Sequence, residues 1–373
     1  MINVKCVELM NLLRRKNERY YRHNYCTNCN CINSNSVHMH SNLVFYSGGM
    51  EVIDKYTLKL RQSMPLQDKI RFTERRIHEW VKEFGINGCY VSFSGGKDST
   101  VLLHIVRSLY PDIEAIFVDT GLEYPEIRQF VKTFDDVTIL RPEMRFDKVL
   151  EKYGYPIISK EVSECIEQAR KALKTGKYPY RLAKLMGTAT DKDGNKSLYN
   201  QEKWKFLLDA PFKISNKCCN VMKKKPTHQY HKQTGKVPFI GTMAEESRLR
   251  EQKYLQQGCN GFKNKIPTST PIAFWTEQDV LEYIDRYKIP IASVYGEVIK
   301  TDKYYTTGCQ RTGCMFCGFG CHLEKYPNRF QRLAHTHPKQ YDYIINTLGM
   351  GEVLDFIGVE YRPNIDKRQM KLL

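Results

Sequence analysis

The sequence has no long apolar run. Stretches such as Val101–Leu103 and Ile116–Val118 fall far short of the roughly 20 residues that cross a bilayer. Nor does the chain open as a secretory leader does: in MINVKCVELMNLLRRKNERYY the basic residues follow the apolar ones, the reverse of the leader order. Both absences point away from a membrane and from export, and a cytoplasmic protein is expected. No internal repeat is visible, which sets solenoids aside. Acidic residues are scarce: 41 Asp and Glu against 58 Lys and Arg leave a net charge of +17. That imbalance favours polyanionic partners, either nucleic acid or phosphate-rich small molecules, with a basic solvated surface as the plainer alternative. Finally, no cysteine follows Cys321, although the chain carries 13.

What is present suits one large domain with appendages, since 41% of the 373 residues are hydrophobic. We expect an N-terminal extension over 1–64, a nucleotide-binding domain over 65–295 and a Cys-rich C-terminal region over 296–373. Residues 65–84 carry Ile70, Ile77, Trp80, Val81 and Phe84 at helical spacing. From Gly88 strand and helix patterns alternate: CYVSF, STVLLHIVRSLY, EAIFVD, PEIRQFVKTF, VTIL and, later, KVPFIG. Short apolar strands alternating with helices imply an α/β fold, a parallel twisted sheet with helices on both faces. Residues 170–205 are basic and polar, with TATDKDGNKS as an exposed excursion. Thr276, three residues before Asp279, opens a helix with a capping box.

The stretch SGGKDS, Ser94–Ser99, lies between the first strand and the next helix. Gly95 and Gly96 allow backbone amides to converge on an anion, and the helix N-terminus adds partial positive charge. Lys97 supplies a mobile cation, and Ser94 and Ser99 supply hydroxyls. The spacing is not that of a Walker A loop. Arg248 and Arg250, on a later helix, have forks that match phosphate oxygens, or they are surface charges.

These residues carry a resemblance. SGGKDS resembles the PP-loop of the ATP pyrophosphatase superfamily. VDTGLEYPE, CCNVMKKKP, GTMAEESRLR, TPIAFWTEQDVLEYIDRYKIP and GCMFCGFG, in that order, resemble motifs of its phosphoadenosine phosphosulfate (PAPS) reductase family. The resemblance runs from about Lys69 to Glu324. It implies an adenine nucleotide alpha hydrolase-like fold binding an adenine nucleotide (ATP, adenylyl sulfate or PAPS). Ser94, Gly95, Gly96, Lys97, Asp98 and Ser99 would cradle phosphate or sulfate oxygens, with Asp119 and Thr120 bordering the nucleotide. Lys97, Arg248 and Arg250 would stabilise charge during reaction. Mg2+ and a thiol reductant such as thioredoxin are further expectations.

Cys218 and Cys219 are adjacent, and Cys314 and Cys317 form C-x-x-C. Four thiolates can hold an iron–sulfur cluster or a zinc ion. The resemblance to adenylyl-sulfate reductases implies a [4Fe-4S] cluster on this split set. Cys309 and Cys321 flank the late pair, so a local C-x4-C-x2-C-x3-C site is an alternative, and plain reduced thiols are another. Cys26, Cys29 and Cys31, with His38 or His40, are candidate zinc ligands in an otherwise polar N-terminal segment. Cys6, Cys89 and Cys165 read as core thiols.

The sequence departs from the reductases at its end, where they carry a nucleophilic cysteine. Either Cys309 or Cys321 replaces it, or the chemistry differs. PP-loop relatives that bind a cluster also deliver sulfur to DNA or tRNA, so ATP-dependent thiolation of nucleic acid is the alternative. A non-catalytic nucleotide-binding regulator is the third.

Overall fold

The computed structural model describes residues 53–363. Two N-terminal helices, α1 (Lys55–Gln62) and α2 (Leu66–Phe84), precede strand β1 (Cys89–Ser92). Then follow α3 (Lys97–Leu109), β2 (Glu114–Val118), α4 (Pro125–Val131) and β3 (Val137–Leu140). The chain next builds α5 (Phe146–Tyr153), β4 (Ile157–Ile158), α6 (Lys160–Thr175) and α7 (Pro179–Met186). It returns to the sheet through α8 (Lys225–Thr234), β5 (Val237–Ile240), α9 (Arg248–Gln257), β6 (Asn260–Gly261) and β7 (Thr268–Ser269). Helix α10 (Glu277–Tyr287), the hairpin β8 (Val298–Lys300) and β9 (Tyr304–Thr306), strand β10 (Gly318–Phe319) and helices α11 (Arg329–Thr336) and α12 (Met350–Phe356) complete the described chain.

The main sheet has six strands in the order β3-β2-β1-β5-β7-β6. The first five are parallel, and β6 pairs antiparallel with β7 at the edge. An α/β fold with a parallel sheet was legible in the sequence; the antiparallel edge was not, because β6 and β7 are only two residues each. Strand order reverses at β1, which has β2 on one side and β5 on the other. Right-handed crossovers running in opposite directions from such a point put helices on opposite faces and leave a crevice at the strand C-termini.

Among the described residues, two hydrophobic clusters form the core. One surrounds the sheet and includes Val91, Phe93, Leu102, Phe117, Phe239 and Trp275. The other joins residues 146–222 to the C-terminal segment through Val149, Ile157, Ile166, Leu207, Phe330 and Leu354. Each such aliphatic or aromatic side chain contributes about 1.5–3 kcal/mol when taken out of water. Lys69 sits inside the first cluster, 2.6 and 2.7 Å from the two Asp279 oxygens, and ties α2 to α10. Asp279 also accepts from the Thr276 amide, completing the capping box expected there. Among the described residues, no helix is long and apolar enough to cross a membrane.

Candidate functional site

The Ser94–Ser99 loop leaves the C-terminal end of β1, at the point where strand order reverses. Helix α3 begins at Lys97 rather than near Ser99, with Gly96 as its N-cap. The loop is held by its own atoms. The Ser94 amide donates to Ser99 Oγ at 3.1 Å, the two serine hydroxyls are 3.0 Å apart, and Ser99 Oγ donates to the Gly96 carbonyl at 2.9 Å. Gly95 has φ +69°, and a Cβ there would stand 2.8 Å from Ile127 Cγ2 and 2.9 Å from Val131 Cγ2. Only glycine meets both demands.

Lys97 is buried, with its Nζ 3.1 Å from Glu277 Oε1 and 3.4 Å from Asp98 Oδ1. Burial works against its charge, but Asp98 and Glu277 outweigh that and hold its pKa above the ordinary value. Burial pushes the Asp98 carboxyl up, with Lys97 opposing. Asp98 Oδ1 and Glu277 Oε1 are both buried without a well-formed hydrogen bond. Above the loop, Tyr295 and Thr312 share a 2.6 Å hydrogen bond, and both hydroxyls lie within reach of a Cβ placed on Gly96.

Asp119 ends the segment after β2 and pairs with Arg128 at 2.9 Å. Thr120 and Glu123 are buried together: Glu123 accepts from the Thr120 amide at 3.0 Å and from its hydroxyl at 2.7 Å. Ser247 caps α9, which carries both candidate arginines. Arg250 forms an ion pair with Glu246, toward which Arg311 also reaches at 3.7 Å. Both Glu246 and Arg311 act on the Asp98 charge, so this network borders the loop. Arg248 is exposed.

The structure gathers Cys218, Cys219, Cys314 and Cys317 near one another, close enough for each of the other three to act on the Cys218 charge. Cys218 and Cys219 occupy a helical turn that runs through a π-helical segment, Asn220–Lys224, into α8. Such widened turns often carry functional residues. Burial pushes the Cys218, Cys314 and Cys317 thiols up, Cys314 to about 11. Lys223 is hydrogen-bonded to Cys314 and lies 3.5 Å from Glu123 Oε1. Burial lowers its pKa, yet Cys314 and Glu123 hold it above the ordinary value. The Met315 amide donates to the Leu122 carbonyl at 2.8 Å. Arg329 donates to the Cys317 carbonyl at 2.8 Å. Gly318 pairs with Ile157 in the β4–β10 ladder, where a Cβ would stand 2.7 Å from the Pro156 carbonyl oxygen.

Cys309 is not part of this group. It is half-buried beside Tyr124, Arg332 and Glu126, and burial holds its thiol up. Cys321 is 1% exposed, donates to the Gly318 carbonyl and is pushed up to about 11 by burial. Cys89 and Cys165 are buried. Cys6, Cys26, Cys29, Cys31, His38 and His40 lie outside the described residues. Among the described residues, no three of His, Cys, Asp and Glu are spaced to hold a single metal ion. A cluster spreads its cysteines over different irons, so its ligand sulfurs stand wider apart than those of one ion. Four thiols with a lysine beside them suit an anionic thiolate-bound cluster, and the residues present fit that group.

Sequence reasoning missed Glu123, Lys223, Glu277, Tyr295 and Thr312. Lys223 stands four residues after Cys219, one helical turn on, and that spacing was a usable signal. Nothing local marks the others, whose positions depend on tertiary packing.

The phosphoadenosine phosphosulfate reductase domain matches residues 88–318. The chain belongs to this family, within the PP-loop superfamily. An uncharacterized protein of Methanocaldococcus jannaschii is 25% identical over 272 residues, covering 72% of this chain and 48% of that protein. The chain thus spans about half the length of that relative. The adenosine 5'-phosphosulfate reductase of Staphylococcus haemolyticus is 24% identical over 246 residues, covering 65% of this chain and 74% of the reductase. Among solved structures, the PAPS reductase of Candida auris in a phosphate complex covers 66% of this chain and 92% of its own, at 14% identity and a TM-score of 0.33. A U34-tRNA thiolase of Methanococcus maripaludis, solved with its [4Fe-4S] cluster, covers 80% of this chain and 84% of its own, at 13% identity and a TM-score of 0.32. Both superpositions are loose, and membership of the family rests on the sequence match.

Proposed function

We propose that this protein binds an adenine nucleotide at the Ser94–Ser99 loop and carries out sulfur reduction or transfer beside a cysteine-held [4Fe-4S] cluster. The observation that carries this reading is the link from the segment after β2, the strand paired with β1, to the cysteines. Glu123, three residues after Thr120, reaches Lys223, which in turn meets Cys314, while Leu122 and Met315 are joined through the backbone. The loop amides and Lys97 would bind the phosphate or sulfate oxygens, and Asp119 and Thr120 would border the nucleotide. Arg248 and Arg250 would meet negative charge as the anhydride breaks, the kind of electrostatic stabilisation that lowers acyl- and phosphoryl-type barriers. Cys218, Cys219, Cys314 and Cys317 would hold the cluster, whose bound form supplies redox or sulfur-handling capacity at that place. In the reductase reading a thiol attacks the sulfate sulfur, AMP leaves from adenylyl sulfate or adenosine 3',5'-bisphosphate from PAPS, and a second thiol releases sulfite and forms a disulfide. Cys309 is the better placed of the two substitute thiols, because Cys321 is closed off in the core.

A second reading, ATP-dependent thiolation of nucleic acid, is favoured by the carboxylates around Lys97. Asp98 Oδ1 and Glu277 Oε1 lie 3.4 and 3.1 Å from Lys97 Nζ, two carboxylates where an anion would arrive. A nucleotide entering with Mg2+ relieves that repulsion, and ATP travels as such a complex. The test offers anaerobic protein and a thiol reductant adenylyl sulfate, PAPS, or ATP with and without RNA, and identifies products by mass spectrometry. Sulfite with AMP from adenylyl sulfate, or with adenosine 3',5'-bisphosphate from PAPS, lost in Cys309→Ser, supports the reductase reading. AMP and pyrophosphate with sulfur in the RNA support the second. No turnover of any nucleotide contradicts both.

A further inference from the structure

Helices α6 and α7 form a hairpin that projects a basic, aromatic tip. From Lys171 to Thr190 the sequence holds no acidic residue. Lys171 pairs with Glu167, and Arg181 and Lys184 share Glu161. Among the described residues, neither Lys174 nor Lys177 has a carboxylate partner, and both are exposed. Between and beside them, Leu173 is 60% exposed, Tyr178 50% and Tyr180 52%. Tyr178 sits in the left-handed region, φ 64°, immediately before Pro179 opens α7. An aromatic residue holds that conformation only where the surrounding chain enforces it, and this turn joins the end of α6, which carries Lys174, to the start of α7, which carries Tyr180. The three apolar side chains are too few for a stable protein interface. Rings with free faces beside unpaired cations are the groups that stack unpaired bases and neutralise their phosphates.

We propose that this tip is a docking point for the single-stranded region of a folded RNA. Unstacked bases occur chiefly in RNA loops, whereas cellular DNA is mostly paired. The arm is also placed to serve the site. Its root follows β4, whose Ile157 pairs with Gly318, the residue after Cys317. The 16-residue α6 then carries the tip about 24 Å away. An RNA held at the tip therefore has several nucleotides with which to reach the cysteines. The inference deepens the thiolation reading of the preceding section, but it concerns binding alone and is measured without nucleotide or turnover.

The experiment uses the full chain, purified anaerobically, and follows the anisotropy of a fluorescein-labelled RNA stem-loop across a salt series. The stem-loop is expected to bind at least about tenfold more tightly than a continuous RNA duplex. Lys174→Glu with Lys177→Glu should weaken binding about tenfold or more and flatten the salt slope by about 1.4. Tyr178→Asn with Tyr180→Ser should weaken it about tenfold and leave the slope unchanged, since stacking releases no counterions. Asparagine tolerates the left-handed backbone, so this variant removes the ring without refolding the turn. Thermal melting of each variant should match the wild type. The proposal is overturned if both variants bind as the wild type does, if duplex RNA binds as well as the stem-loop, if a DNA stem-loop binds more tightly, or if anionic vesicles bind while RNA does not. Sulfite production without RNA binding would overturn it and leave the reductase reading standing. RNA binding without thiolation would support it and remove the thiolation reading.

Discussion

The sheet half and the cysteine half of this protein reach their sites by opposite means. The serine hydroxyls close the Ser94–Ser99 loop on itself, through hydrogen bonds between residues at most five apart, and Lys97 alone reaches out of it, to Glu277. The four cysteines come from two distant segments and are positioned by other parts of the chain. The Leu122 carbonyl, the Arg329 side chain and the β4–β10 ladder each hold one piece. A local site tolerates changes elsewhere in the fold, whereas an assembled one depends on the second hydrophobic cluster around it. The two sites should therefore fail separately, except where Glu123 and Lys223 connect them.

The sharpest way to separate them is to replace one of the four cysteines and one loop residue. Cys314→Ser is expected to abolish iron retention and turnover while leaving nucleotide affinity near wild type, checked by iron analysis and equilibrium titration. Lys97→Ala should do the reverse, keeping the iron but cutting turnover by about 10²–10³-fold, as loss of a preorganised charge does. Gly95→Ala adds a Cβ against Ile127 and Val131 at positive φ. It should cost about 1–3 kcal/mol, read from the urea midpoint, and weaken nucleotide binding without touching the iron content. The smallest effect concerns Glu114, at the start of β2. Burial raises its pKa, but hydrogen bonds from Lys236, Thr138 and Tyr230 lower it more, leaving it below the ordinary 4.5. A depressed folded pKa stabilises above pH 4.5 and is lost as pH falls through the folded value. Glu114→Gln should therefore flatten the acid limb of the stability curve and leave the cysteine half unaffected.

The parallel sheet and the family were readable in the sequence because both rest on local signals: alternating apolar strands, SGGKDS after the first of them, and Thr276 three residues before Asp279. Within the Gly241–Arg250 motif Ser247 starts α9, because its hydroxyl accepts from the Arg250 amide. The stretch 170–205 reads as basic and polar with one exposed excursion, and no helix was legible there, yet it carries the end of α6 and all of α7. Its lysines and tyrosines masked the pattern, with the apolar positions Ala172, Leu185 and Ala189 widely spaced. Which cysteines meet was not decidable from spacing, since Cys309 is as close in sequence to Cys314 as Cys321 is to Cys317, within a residue. The structure turns Cys309 toward Arg332 and Glu126 instead. Glu277 and Tyr295 reach the loop only through the packing of α10 and the turn beyond it, which no local pattern encodes.

The central claim is that the nucleotide loop and the cysteine site, though built separately, communicate through Glu123 and Lys223. The most direct test is the visible absorption and paramagnetic resonance spectrum of the anaerobically loaded protein, recorded as adenylyl sulfate or ATP is added. The account predicts a saturable change in the spectrum with one of these nucleotides, absent in Lys97→Ala. A spectrum that stays unchanged while nucleotide demonstrably binds would contradict it.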